Sequence, residues 1–533
     1  MPNDIMPPKN IALPKDFEQH TQRLFGYDRY NVFKDALQHT PQTTIRLNPF
    51  KRLADGKPTC STVDWCSEGR VLDSRPDFTF DPLLHAGVYY VQESSSMFID
   101  HVVRQLVDTP VLALDLCAAP GGKTTTLRAA LPKGSIVVAN EPMKVRASIL
   151  AENVQKQGHP DIMVTNNYPR DFRKAKLMFD IILADVPCSG EGMFRKDPQA
   201  IGEWSAQNVE RCADLQRSII EDIWPTLRPG GLLVYSTCTY NEHEDEENIC
   251  WIMRHLGASL VKVAVDPHWH ITDALATPLA EKQVNADCAT PDYNAVHDHN
   301  TPADTRHAVC RFIPGFTPGE GIFMAVLQKP CNQQGEEKET KKKKDRQKDT
   351  HTKSNVYAKA AEQWLKADPQ NIKSTWTVVE MPTAVRAIPT RWLPLYEDAT
   401  RALHVIHAGV TLGTPKGKQL VPAAGLALST ALCREAFTQV AIGWQQAIQY
   451  LRKEAITLPA NTPQGFVLLT YRGHALGFCK NVGNRANNLY PQEWKIKTTH
   501  LPEQPICALP AQSASVQPKQ TADEQQEQNT STL

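Results

Sequence analysis

From Val111 onward, short apolar runs alternate with amphipathic stretches, and this alternation is the strongest pattern in the chain's 533 residues. The runs fall at Val111 to Cys117, Ser135 to Ala139, Asp161 to Thr165, Phe179 to Ala184 and Gly231 to Thr237. Helical spacing between them is clearest at Val145 to Gln157 and Ser205 to Leu227. Strands apolar on both faces and separated by helices predict a parallel sheet covered on both sides, a doubly wound α/β core over residues 101–330. Gly321 to Leu327 reads as one more strand, a candidate antiparallel closing one. Residues 11–100 differ, with helical patterning from Phe17 to Leu37 and strand-like pieces at Thr44 to Leu47 and Gly87 to Gln92. They predict an N-terminal α+β accessory domain.

Past the core, residues 331–355 are polar, lack apolar periodicity and run through Lys341, Lys342, Lys343 and Lys344, the composition of a solvated linker. Residues 356–509 carry enough apolar positions for another folded unit, with a strand at Gly465 to Tyr471 and glycine turns at Gly409, Gly413 and Gly473. Residues 510–533, rich in Gln, Ser, Thr and Glu, read as a disordered tail.

Length excludes a single core at ~100–200 residues per domain. A hydrophobic fraction of 41% with 22% charged residues excludes wholesale disorder. No apolar run reaches the ~18 residues a membrane span needs, and the chain reads as cytoplasmic, with no membrane partner. Thirteen cysteines lack zinc-site spacing, and His268, His270, His297 and His299 sit in a Pro- and Asp-rich surface insertion, so free thiols and no metal are expected. Basic and acidic residues both total 58, but residues 401–500 hold 11 basic against 3 acidic side chains. That surplus suits a polyanion, and Arg472, Lys480 and Arg485 are the candidate RNA contacts. Methyl-donor binding is expected to be independent of everything from Val356 onward.

Three segments carry the chemistry. In the first, the strand ending at Asp115 enters the small-residue turn Cys117, Ala118, Ala119, Pro120, Gly121, Gly122 and Lys123 and then a helix, so a ligand can approach the backbone closely. Neither a dinucleotide fingerprint nor a P-loop is present. The next strand ends at Glu141, a carboxylate placed to accept from a ribose diol, which suggests a nucleoside cofactor, S-adenosyl-L-methionine. The second and third segments, Asp185-Val186-Pro187-Cys188 and Ser236-Thr237-Cys238, put a cysteine at each of two strand ends. Thiolate addition at carbon 6 of a pyrimidine makes carbon 5 nucleophilic, which explains why a methyltransferase would need sulfur there. A proton or hydrogen bond at N3 eases the addition, a task for Asp185, and the base that strips the carbon 5 proton is either the second cysteine or a loop acid.

The segments CAAPGGKT, ANE, DVPCSGEGMFRKDP and YSTCTYNEHEDEEN resemble the motifs of the Sun (Fmu) family of RNA cytosine-5 methyltransferases. Arg46 to Lys51, Gly87 to Ser94 and Gly319 to Phe323 resemble that family's lead-in and closing strand. Ala408 to Gly413, Leu476-Gly477 and Lys480 to Pro491 are similar to the PUA-like C-terminal domain of its bacterial RsmF/YebU type. The resemblance implies a class I methyltransferase core flanked by an N-terminal RNA-binding region and a PUA-like domain, S-adenosyl-L-methionine as donor, and a cytosine of small-subunit ribosomal RNA, naked or in the subunit, as substrate. It implies Cys238 as nucleophile, Cys188 as the product-releasing cysteine, and Cys117 to Lys123, Glu141 and Asp185 as donor contacts. The chain departs from the family pattern after its third strand, where Thr165-Asn166-Asn167-Tyr168 offers no acid before Asp171; Asn167 or a backbone group is the expected substitute at the adenine. A transfer-RNA or DNA enzyme of the same chemistry and a cofactor-free RNA-binding assembly factor are the competing readings.

Overall fold

The computed structural model describes residues 11–53, 60–275, 306–331, 357–366, 375–417, 419–498 and 500–509. The expected linker at 332–355, the tail from residue 510 and the histidines at 297 and 299 lie outside the described residues.

The central sheet has nine strands, numbered here β1 (Leu112–Asp115), β2 (Ile136–Asn140), β3 (Ile162–Thr165), β4 (Phe179–Asp185), β5 (Leu227–Thr237), β6 (Ser259–Val261), β7 (Val309–Phe312), β8 (Ile322–Gln328) and β9 (Val405–Ala408). Their spatial order is β6-β8-β5-β4-β1-β2-β3-β9, with β7 paired to β8. Strands β1 to β5 are parallel, whereas β8 runs antiparallel to β5, as the closing strand was expected to. Chain order reverses between β1 and β4, and in such sheets ligands bind outside the carboxyl ends of the strands at that switch point. Helices α1 (Gly122–Ala130), α2 (Lys144–Gln157) and α3 (Ala206–Ile223) lie between these strands in the chain. Ser205 caps α3 by accepting from the Asn208 N–H. That helix stops at Ile223 and Leu227 already belongs to β5, so the helical stretch expected as far as Leu227 is shorter.

The apolar runs fill two clusters, one around Leu114, Ile182, Leu233 and Phe323 and the other around Ala113, Val137, Ile181 and Val234. Neighbouring residues of one strand enter opposite clusters, because side chains alternate across a pleated sheet. This explains why these strands read as continuous rather than alternating.

Ahead of the core, Lys15–Phe25 and Tyr27–Leu37 form two helices parted at Gly26, and a four-stranded antiparallel sheet runs in the order Thr62–Val63, Cys66–Leu72, Thr43–Leu47, Tyr89–Val91. Phe17, Phe25 and Phe33 of the helices pack on Phe194 and Tyr240, beside the loops that follow β4 and β5. The lead-in and closing motifs meet: Glu93 accepts from the Glu320 N–H, and Ser95 Oγ donates to the Glu320 carbonyl at 2.8 Å.

The C-terminal region is built differently from the single unit read in the sequence. It contains two sheets, one of Trp376–Glu380, Val385–Pro389, Val410–Lys416 and Gln419–Pro422, the other of Thr438–Ala441, Gly465–Tyr471, His474–Asn481 and Ala486–Asn488. Between the strands of the first, β9 leaves to pair antiparallel with β3, matching Val405 to Thr165 and Ala408 to Met163. Trp392, Tyr396 and Leu403 enter the core cluster beside it. Contact is close enough that α2 must end in glycine: Gly158 has φ +83°, and a Cβ there would meet the Leu428 carbonyl oxygen at 2.1 Å. Val467 of the second sheet and Ile448 and Tyr450 of the helix Trp444–Leu451 enter a core shared with Ile45, Phe80 and Leu83 of the N-terminal domain.

Candidate functional site

At the switch point the backbone of the first turn is held from both sides. The Leu116 N–H donates to the Leu183 carbonyl at 2.9 Å and the Ala118 N–H to the Asn140 carbonyl at 2.8 Å. On the outer side, Arg146 donates to the Ala119 carbonyl and Asn153 to the Pro120 carbonyl. Gly121, at φ +114°, makes the left-handed turn that launches α1 and places Lys123 in its first turn. Burial pushes the Cys117 thiol up strongly, with Asp185 and Asp115 adding to the shift, so this sulfur is a packing group.

Asp115 lies beneath the turn. One oxygen accepts from Thr124 Oγ1 at 2.6 Å, and the other, Oδ1, is buried without a hydrogen-bond partner. Burial, against the Thr124 hydrogen bond, raises its carboxyl to about 7. Glu141 is 1% exposed; one oxygen accepts from the Met143 N–H at 2.9 Å and the other lies 3.5 Å from Arg146. Each carboxylate keeps acceptor capacity, so the donor set fits a cationic, hydroxyl-bearing nucleoside.

Asn167, the expected substitute at the adenine, lies beside the C-terminal segment. Its side-chain oxygen accepts from the His404 N–H at 3.1 Å and its amide approaches the His404 carbonyl at 3.5 Å, while its own backbone groups bond to Asn140. The side chain thus reaches the C-terminal segment, chiefly through its oxygen.

Across the switch point, Asp185 ends β4. Its Oδ2 is 2.8 Å from Lys123 Nζ, and its Oδ1 accepts from Ser236 Oγ at 2.6 Å. Burial opposes the charge on Lys123, but the Asp185 carboxylate outweighs it and holds the ammonium above its ordinary range. Asp185 thus meets both a cation and a hydroxyl donor at the end of its strand.

The two cysteines come together: Cys188 Sγ lies 3.0 Å from Cys238 Sγ, and the Gly192 N–H donates to the Cys238 carbonyl at 2.7 Å. The hydrogen bond to Cys238, followed by burial, pushes the Cys188 thiol well up, so Cys188 keeps its proton.

Sequence reasoning missed what supports these loops. Glu244 accepts from the Ser189 backbone and hydroxyl, Gln216 and Asn241, and burial with Glu191 nearby raises it to about 7. Glu191 accepts from the Tyr240 and Asn241 N–H groups. Arg311 pairs with Asp245 and Glu246 and donates to the Tyr240 carbonyl. Within the acidic run Glu242 to Glu247, Glu244, Asp245 and Glu246 are each 0% exposed. The signal available was a strand-end cysteine four residues before that run.

Of the candidate RNA contacts, Arg472 donates to the Leu509 carbonyl at 2.6 Å and to Cys507, and Lys480 donates to Gln419 at 3.0 Å and lies over the Phe466 ring. Arg472 thus ties the final segment to the second C-terminal sheet and Lys480 joins the two sheets, while Arg485 is exposed. Among the described residues no cluster of His, Cys, Asp and Glu has a geometry for metal, and no helix is long and apolar enough to cross a membrane.

Three family descriptions match the chain: 16S rRNA methyltransferase RsmB/F over residues 107–328, the N-terminal domain of 16S rRNA methyltransferase RsmF over 13–94, and the methyltransferase RsmF PUA domain over 437–496. The ribosomal RNA small subunit methyltransferase F of Aliivibrio fischeri (strain MJ11) is 31% identical over 507 residues, 91% of this chain and 98% of that one. Its counterpart in Erwinia tasmaniensis is 28% identical over 510 residues, 90% of this chain and 96% of that one. A solved structure, NSun6 from Pyrococcus horikoshii with SFG, covers 60% of this chain and 99% of its own at 19% identity and a TM-score of 0.47.

Proposed function

Because the chain belongs to the ribosomal RNA small subunit methyltransferase F family, we propose that it methylates carbon 5 of a cytosine in 16S ribosomal RNA through a covalent cysteine adduct. The methyl donor of this family is S-adenosyl-L-methionine, which when bound supplies an electrophilic methyl group. The turn from Cys117 to Lys123 with Asp115 and Glu141 would hold it, Asp115 Oδ1 being an acceptor in need of a donor.

The observation that carries the reading is the 3.0 Å approach of Cys188 to Cys238 beside the Lys123 and Asp185 pair. Cys238 is the nucleophile: its thiolate adds to carbon 6 of the flipped-out base while the Cys188 S–H, donating to it, stabilises the attacking form. The Lys123 ammonium neutralises the charge that develops on N3, and Asp185 orients Lys123 and accepts from the base's amino group. Addition makes carbon 5 nucleophilic. After methylation a base removes the carbon 5 proton, the C6–S bond breaks, and Cys238 leaves as a thiolate. Cys188 serves this release, and Glu244, contacting Ser189 and raised to about 7, is placed to exchange a proton near neutrality.

Denaturing gels with labelled RNA and S-adenosyl-L-methionine test the assignment. Cys238→Ala should abolish both methyl transfer and adduct, while Cys188→Ala should accumulate a denaturation-resistant adduct. An adduct in the first and none in the second reverses the roles, and full activity in both removes the covalent mechanism. Loss of a 5-methylcytosine from total RNA on deletion of the gene, read by bisulfite sequencing, would identify the nucleotide.

A further inference from the structure

The methyl-donor side of the site is wired to the far end of the chain. His404, just before β9, accepts from the Asn166 N–H at 3.0 Å and donates its own N–H to Asn167 Oδ1 at 3.1 Å. Asn167 passes the constraint on through its backbone, donating to Asn140 Oδ1 at 3.1 Å and accepting from Asn140 Nδ2 at 2.9 Å. Asn140, fully buried, donates to the Leu116 carbonyl at 3.1 Å, and its own carbonyl accepts the Ala118 N–H. In parallel, Asn166 Nδ2 donates to the carbonyls of Glu141 and Pro142 at 2.8 and 2.9 Å. One hydrogen-bonded lattice therefore joins the C-terminal segment to the glycine turn and to the strand end that carries Glu141.

We propose that Asn167 is a positioning residue for the methyl-donor site, and that His404 and β9 complete that site from the C-terminal region. The proposal rests on the reading that the turn from Cys117 to Lys123 binds the donor. The physical argument is one of population. Loops beyond strand ends hold a shape only as far as their hydrogen bonds define it, and a site that is correctly shaped for a fraction of the time binds more weakly by that fraction. Without β9, strand β3 would also be an open sheet edge, and the loop after it would lose the outer strand that pins Asn166 and Asn167. The independence of donor binding from the C-terminal region, expected from the sequence, is replaced by dependence. Coupling of this kind is reciprocal in binding free energy.

The test uses the full chain and equilibrium binding of S-adenosyl-L-methionine and S-adenosylhomocysteine, with amide hydrogen exchange as a second readout. Asn167→Ala removes both side-chain bonds to His404 and should raise the donor Kd roughly three- to ten-fold and speed exchange at residues 116–121, with RNA affinity unchanged. Asn167→Asp keeps the acceptor for the His404 N–H and should stay within about two-fold of the parent. An unchanged Kd in folded Asn167→Ala, or equal weakening in both variants, overturns the proposal. Unmodified protein supplies an arm that no folding defect can obscure: saturating donor should slow exchange at 404–408 as well as at 116–121. Donor binding that protects the turn but leaves 404–408 untouched overturns the coupling alone, whereas no donor binding at all overturns the donor-site reading beneath it.

Discussion

Two groups of oppositely charged side chains, one joining α1 to the end of β4 and the other beside the loop after β5, serve different ends. Lys123 and Asp185 meet at 2.8 Å with side chains 19% and 27% exposed, one at the start of α1 and the other at the end of β4. Arg311 on β7 meets Asp245 and Glu246 with all three side chains at 2% exposure or less. The first pair keeps a face toward the cleft, so its charges can act on a substrate. The second has none, and its hydrogen bonds end on the Tyr240 carbonyl, two residues past Cys238. Burial separates a pair placed to meet a substrate from one that fixes a loop.

This difference can be broken from either side. Asp185→Asn should cut the single-turnover methylation rate by roughly 10²–10⁴-fold while leaving the unfolding midpoint nearly unchanged, because it removes a partner of the reacting base and little packing. Stopped-time assays and thermal melts on the same preparation check both halves. Arg311→Met should do the reverse in kind, costing about 3–5 kcal/mol of stability in denaturant titrations because two buried carboxylates lose their counter-charge.

Glu244 sharpens the comparison, since it is as buried as the Arg311 cluster but has no cationic hydrogen-bond partner among its donors. Its carboxyl is raised from 4.5 to about 7 in the folded chain. A raised folded-state value means the folded protein holds the proton more tightly than the unfolded chain, so the stabilisation is complete below pH 4.5 and is lost as pH rises through 7. Glu244→Gln should flatten that dependence, the difference between parent and variant changing by roughly 3 kcal/mol across the window. A parallel offset at every pH would show that Glu244 does not titrate there. Glu141→Ala should weaken donor binding by about 1.5–3 kcal/mol by calorimetry with RNA affinity unaltered. The smallest effect belongs to Arg485→Ala, which should lower the slope of log RNA affinity against log salt by about one, whereas Lys480→Ala, already engaged by Gln419, should alter it less.

How much of this was legible depended on whether the determining interactions were local. The strands of the core announced themselves because burial on both faces leaves few polar positions, and the turn because a run of small residues and glycines follows a strand and leads into a helix. The strand-end cysteines were legible as types and positions. That their sulfurs stand 3.0 Å apart was not, because the contact spans fifty positions of sequence and depends on the register of β4 against β5, which aligns Asp185 with Ser236. The buried acids after Cys238 were hidden for the same reason: the counter-charge of Asp245 and Glu246 is Arg311, more than sixty residues away.

The C-terminal region marks the limit most clearly. Its charge surplus was a countable property of residues 401–500, but counting could not say that Arg472 and Lys480 spend their donors on neighbouring backbone and side chains while Arg485 faces solvent. Nor could four residues, Val405 to Ala408, declare that they pair with a strand some 240 positions earlier. The sequence by itself determined the order of elements, the small-residue turn and the two strand-end cysteines, because local propensity and burial pattern are written in neighbouring residues. Tertiary structure alone decided which acids are buried, which cations are free and which strand closes the sheet edge, because each depends on what a residue meets rather than on what it is.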